Sequence, residues 1–168
     1  VIQYVTGDAT DPQGDAPRVI AHIVNDEGKW GSGFVLALSR QDLTAEEHYR
    51  AWARHGMYDD SDFGPKPFAL GQTQFVTMKA QMLFTANMCA QRGVRHDRSA
   101  PRAVQYDALR SCLGQLAEFC TLYPAAGVAS VHMPRIGCGL GGGSWEEVEP
   151  IIQNTLTARG VPVTVYDL

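Results

Sequence analysis

The sequence predicts an α/β protein, a three-layer α/β/α sandwich around a mixed, largely parallel central sheet, folded as a single domain over residues 1–168. Three observations carry this reading. Apolar runs of strand length alternate along the chain with segments of helical period. The apolar runs at 19–24 and 127–133 each lead into a glycine-bearing loop that ends at a helix start, the unit from which parallel sheets are built. The runs at 74–78 and 81–89 are separated only by Lys79-Ala80, a connection that joins antiparallel neighbours.

In chain order, residues 2–5 form a short β run that ends at Thr6-Gly7-Asp8. Residues 19–24 are apolar except for His22, as in a strand buried on both faces, and His22 reads as a satisfied core histidine. The first loop, Asn25-Asp-Glu-Gly-Lys-Trp-Gly-Ser-Gly33, leads into an apolar helix at 34–38. In it Lys29 reads as a solvated charge, and a surface anchor is one open reading of Trp30. Thr44 and Glu47 have capping-box spacing and open a helix that runs to 54. Residues 57–67, rich in Asp, Gly and Pro, read as a loop.

After the antiparallel pair, the polar stretch 90–102 carries Arg92, Arg95, His96, Arg98 and Arg102. It is either a solvated face or a guide for an anionic substrate. Residues 104–122 place Leu109, Cys112, Leu113, Leu116, Phe119 and Cys120 at the spacing of a core-facing helix. The strand at 127–133 is followed by a helix at 145–158, opened by a second capping box, Ser144 to Glu147, and ended by Gly160. Residues 161–166 close the sheet.

A hydrophobic content of 45% and a charged content of 19% describe an ordinary globular domain with a real core. The net charge of −4 argues against a general nucleic-acid binder. No apolar run approaches the roughly 20 residues of a membrane span. Cys89, Cys112, Cys120 and Cys138 form no C-x-x-C pair and no metal-ligand spacing. They are expected as reduced thiols of a monomeric cytoplasmic protein with no metal and no cofactor.

The chemistry concentrates in the second loop, Met133-Pro-Arg-Ile-Gly-Cys-Gly-Leu-Gly-Gly-Gly-Ser-Trp145. Five of the seven residues from Gly137 to Gly143 are glycine, more flexibility than a turn needs. Such a loop lets main-chain N–H groups approach a ligand, and the helix start beyond it adds unpaired donors and partial positive charge. This is anion-binding hardware, suited to phosphate or pyrophosphate. Gly137, Gly139 and Gly142 satisfy G-x-G-x-x-G, but only one strand follows, and the nearest acid for a ribose is Asp167 at the end of that strand. Gly28-Lys29-Trp30 lacks the Ser/Thr of a nucleotide-triphosphate loop. Two separate glycine loops at the carboxyl ends of strands point instead to a diphosphate clamped from both sides.

Taken together, Thr6-Gly7-Asp8, Gly28-Lys-Trp-Gly-Ser-Gly-Phe34 and Met133-Pro-Arg-Ile-Gly-Cys-Gly-Leu140 ahead of Trp145 resemble a macrodomain. The resemblance runs the full length, and is to the branch holding a chromatin-remodeller macrodomain and small stand-alone ADP-ribosyl hydrolases. It implies binding of ADP-ribose and of ADP-ribosylated protein or another modified acceptor. Asp8 would take the adenine amino group, with Ala9 beside it; Gly31, Ser32, Gly33 and Phe34 would lie against the pyrophosphate and terminal ribose. Arg135, Gly137, Cys138, Gly139, Leu140 and Gly141 would wrap the other side. Some hydrolases of the branch use a lysine adduct assisted by an aspartate. Here those positions hold Gln91 and Gly141, so hydrolysis is expected to use water, with Asp26 as the base and Asn25, Gln91 and His96 positioning it. A non-catalytic reader and an ADP-ribose 1″-phosphate phosphatase are the alternative functions.

Overall fold

The structure, a computed structural model, describes residues 1–60, 64–95 and 99–168; of Asp59 and Asp60 only the backbone is described. Its centre is strand β2, Arg18–Asn25, which pairs in parallel with β7, Ser130–Met133, on one side and with β6, Leu83–Gln91, on the other. Beyond β7 lie β8, Val163–Asp167, and β1, Ile2–Thr6, also parallel. Beyond β6 lies β5, Thr73–Thr77, which runs antiparallel to it. The sheet therefore has the order β1-β8-β7-β2-β6-β5, mixed and mostly parallel as expected.

Alternation along β2 divides the core. Val19 and Ala21 face α3, Tyr106–Leu122, and α4, Trp145–Thr155, in one buried cluster. Ile20 and Val24 face α1, Phe34–Gln41, and α2, Thr44–His55, in the other. The largest apolar stripe belongs to α3, where Leu109, Leu113 and Leu116 are fully buried at about 1.5–3 kcal/mol each. Because every strand of this six-stranded sheet except β5 points the same way, β2, β6, β7 and β8 end at one edge of it, where the two glycine loops emerge.

Three local expectations are corrected. Residues 57–67 are not simply a loop: β3, Met57–Asp60, and β4, Gly64–Pro67, form an antiparallel hairpin. The Asp, Gly and Pro content hides it, but the hairpin is held from outside, by Trp52 Nε1 donating to Lys66 O at 2.9 Å and Phe68 N to Gly56 O at 2.9 Å. Neither capping box forms. Thr44 lies inside α2, and Asp42 Oδ1 accepts from its amide and hydroxyl. Ser144 is the N-cap of α4 but makes no side-chain cap; its amide donates to the Tyr106 hydroxyl at 3.1 Å. Among the described residues no helix is long and apolar enough to cross a membrane.

Candidate functional site

At the carboxyl edge of the sheet the two loops border a cleft of about 450 Å³. The first wall is the end of β2 and the start of α1: Asn25, Lys29, Gly31, Ser32, Gly33 and Phe34. The second is Arg135, Gly137, Gly139, Leu140 and Gly141, with Gln91 and Arg95 between them. Among the described residues none of Gly31, Ser32, Gly33, Phe34, Gly139, Leu140 or Gly141 donates its amide to a protein acceptor. Helix α1 begins at the cleft with no acid in its first turn, so its unpaired N–H groups keep their positive end. Among the described residues the lining cations are Lys29, which pairs with Glu27 at 3.1 Å, Arg95 and Arg135, and no carboxylate lines the cleft. Free main-chain donors on two facing loops, in a cationic cleft, make a site for an elongated anion.

Asn25 is buried and its side chain builds the first loop. Its Oδ1 accepts from the amides of Glu27 at 3.0 Å and Lys29 at 3.1 Å and from the Tyr49 hydroxyl, while its Nδ2 donates to Lys29 O at 2.7 Å. Asp26 does not line the cleft. Its Oδ1 accepts from Gly93 N at 2.7 Å, tying the first loop to the segment after β6. Gln91 does line it: Nε2 donates to Gly93 O at 3.1 Å, which turns Oε1 the other way, 3.4 Å from where a Cβ on Gly141 would stand. His96 and Arg98 lie outside the described residues.

The remaining expected contacts divide. Asp8 is exposed, lies off the cleft lining, and closes a local turn through Oδ1 to the amide and hydroxyl of Thr10 at 2.9 and 2.7 Å. Ala9 is buried behind it. Cys138 points back into the protein, its thiol donating to Ile136 O at 3.4 Å, and burial raises its pKa. Arg135 reaches the cleft edge from a fixed seat: its guanidinium donates twice to Asp167 at 2.8 and 3.0 Å and lies 5.2 Å from the ring centres of both Tyr4 and Trp145. The Arg135 partner holds Asp167 below the usual carboxylate range.

Sequence reasoning missed three things here. Trp30 is no surface anchor: it is 4% exposed and its Nε1 donates to Ser39 Oγ at 2.8 Å. His22 lines the cleft, and only one of its ring nitrogens is satisfied. Its burial was legible in the apolar run around it; the missing partner was not. Finally, the glycines of the second loop serve packing as much as ligand access. A Cβ at Gly143 would lie 2.8 Å from Gly137 O, one at Gly137 would lie 3.1 Å from Val104, and one at Gly142 would overlap the Arg95 guanidinium. Only Gly139 has open space around its Cβ position.

This sheet order, with a cleft between two main-chain donor loops, defines a macrodomain-like α/β/α protein, and comparison with known proteins agrees. No family model matches the chain. A macrodomain protein from Streptomyces coelicolor superposes with a TM-score of 0.78 at 43% identity, covering 100% of this chain and 99% of that one. A Bacteroides thetaiotaomicron protein of unknown function superposes with a TM-score of 0.85 at 46% identity, over 100% and 98% of the two chains. The chain belongs to the macrodomain family. Among curated relatives, the Chromodomain-helicase-DNA-binding protein 1-like of Mus musculus is 30% identical over 98% of this chain, which spans 17% of that protein. The ADP-ribose glycohydrolase OARD1 of Bos taurus is 40% identical over 63 residues, 38% of this chain and 40% of that protein.

Proposed function

We propose that the cleft binds ADP-ribose and that the protein hydrolyses the bond between its terminal ribose and an acceptor. The observation that carries the binding half is the set of unpaired amides on both loops, facing each other across a cleft whose described lining residues include three cations and no carboxylate. A diphosphate needs donors from two sides, and the α1 N-terminus and the 139–141 amides supply them without a metal. The relative named ADP-ribose glycohydrolase supports the hydrolytic half.

For the chemistry, water attacks the terminal ribose carbon through an oxocarbenium-like state; the bond to the acceptor breaks as the new C–O bond forms, and the proton lost by the water ends on the departing acceptor. Gln91 Oε1 is a lining acceptor whose orientation is fixed by its own amide and which has no partner among the described residues, so it holds the water. Asn25 has its side chain committed to the loop and acts by keeping the loop's shape. Asp26, through Gly93, fixes the segment that carries Gln91, and with Oδ1 so engaged we assign it a positioning role in place of the base.

The test is to incubate the protein with mono-ADP-ribosylated protein and, separately, with ADP-ribose 1″-phosphate, while measuring ADP-ribose binding by calorimetry. Release of ADP-ribose from the modified protein is expected, and Gln91→Ala should lower turnover about a hundredfold at saturating substrate with affinity little changed. Binding without turnover on either substrate makes the protein a reader; turnover of the 1″-phosphate alone makes it a phosphatase.

A further inference from the structure

Two strands feed the glycine loops, and each carries one buried histidine. His132 on β7 has both ring nitrogens paired, with Ser130 Oγ at 2.8 Å and the Tyr166 hydroxyl at 2.7 Å. His22 on β2 is 2% exposed, and its Nδ1 has no partner, although the residue lines the cleft. A buried acceptor left unpaired is costly and rare in a settled core.

The surrounding hydrogen bonds fix which nitrogen carries the proton. Gln74 Nε2 donates to His48 O at 3.0 Å, so Gln74 presents its Oε1 to Asn87. Asn87 Nδ2 then donates to Gln74 Oε1 at 3.0 Å and to Ala45 O at 3.2 Å. Both amide protons of Asn87 are thereby directed at oxygens, and its Oδ1 accepts from His22 Nε2 at 2.5 Å. The proton sits on Nε2, and Nδ1 keeps a bare lone pair. Burial pushes the imidazole down to about 4, so the ring is neutral at pH 7 and this lone pair accepts and cannot donate. Trp30 and Phe34, with ring centres at 5.3 and 5.7 Å, are the aromatic neighbours of the imidazole and offer Nδ1 no bond.

We infer that His22 is a specificity-determining residue, its Nδ1 accepting a hydrogen bond from a hydroxyl of the ligand's terminal ribose. The inference rests on the ADP-ribose reading above. The diphosphate of that ligand is acceptor-only at neutral pH and has no proton to offer. The ligand's donors are the adenine amino group and the hydroxyls of two riboses; ADP shares all of these except the terminal sugar, so the terminal sugar is the donor that the comparison with ADP isolates. A buried acceptor that only a ligand O–H can pair discriminates against ligands that lack one, because the acceptor then stays unpaired.

The experiment uses the intact protein labelled with ¹⁵N-histidine, with ADP-ribose and ADP as probes and calorimetry run in parallel. In the free protein the His22 signals, assigned by their loss in His22→Phe, should show Nε2 protonated and Nδ1 bare. Saturating ADP-ribose should move the Nδ1 resonance toward that of a hydrogen-bonded nitrogen, and ADP should not. His22→Phe should weaken ADP-ribose about tenfold and leave ADP unaffected. If that variant fails to fold, triple-resonance correlations to the backbone of uniformly ¹³C,¹⁵N-labelled protein assign the signals, and the spectra of the unaltered protein decide. ADP-ribose that binds with Nδ1 unmoved, a shift of equal size with ADP, or a proton found on Nδ1 would each overturn the assignment alone. Absence of ADP-ribose binding in the calorimeter would instead sink the functional reading beneath it.

Discussion

The two strand–loop–helix units that border the cleft look alike in sequence and are built in opposite ways. In the first, one buried side chain, Asn25, holds the loop through four hydrogen bonds to the loop and α2, and the glycines at 31 and 33 have open space around them. In the second, no side chain plays that part; Gly137, Gly141, Gly142 and Gly143 are pressed against Val104, Gln91, Arg95 and one another. A glycine can leave room for a ligand or for the protein itself. The motif does not distinguish these uses, but the neighbours do.

The largest expected effect tests what the units share. His22 and His132 are both pushed from 6.5 to about 4, first by burial in each case, with the Arg18 charge adding for His132. The unfolded chain binds these protons as pH falls below about 6.5 while the folded chain does not. Each histidine's contribution, on the order of 3 kcal/mol, is therefore complete above about pH 6.5 and lost as pH drops toward 4. Denaturant melts from pH 7 to pH 4 should show it. If stability is flat across that range, the two histidines are not buried neutral.

Next comes Asn25→Ala. It leaves the amides of Glu27 and Lys29 without their acceptor and the Tyr49 hydroxyl with the Asn25 carbonyl alone, and should cost about 2–3 kcal/mol in a thermal or denaturant melt. Gly143→Ala should cost about 1–3 kcal/mol, because the new methyl meets the Gly137 carbonyl, a backbone atom that moves only with the loop. Smallest is Gly31→Ala, expected within about 0.5 kcal/mol of the parent since its Cβ position is empty, while ADP-ribose affinity falls severalfold. If Gly31→Ala destabilises as much as Gly143→Ala, the contrast between the loops is wrong.

The layers and the parallel run of the sheet were legible because periodicity reports which face of an element is buried. Leu109, Cys112, Leu113 and Leu116 mark α3 without reference to any other part of the chain. The antiparallel edge was legible from a connection too short for anything else. What escaped depends on groups distant in sequence. Ser144 matches a local capping rule, yet its amide is satisfied by Tyr106, 38 residues away. Asp26 and Asn25 are adjacent polar residues in one loop, and only the approach of Gly93 and Tyr49 separates their roles. The crowding of the second loop comes from Arg95 and Val104, which no glycine spacing encodes.

Trp30 stands edge-on to the His22 ring at 5.3 Å and is sheltered from water. An indole in that position emits light according to the state of the imidazole beside it, bright next to a neutral ring and quenched by a charged one. Of the other two tryptophans, Trp52 is fully buried among α2, β4 and Phe68, and Trp145 lies on the outer rim with Tyr4 and Arg135. The His22 imidazole thus has its own label-free optical reporter packed behind it, one that a Trp30→Phe variant would silence while the other two tryptophans kept emitting.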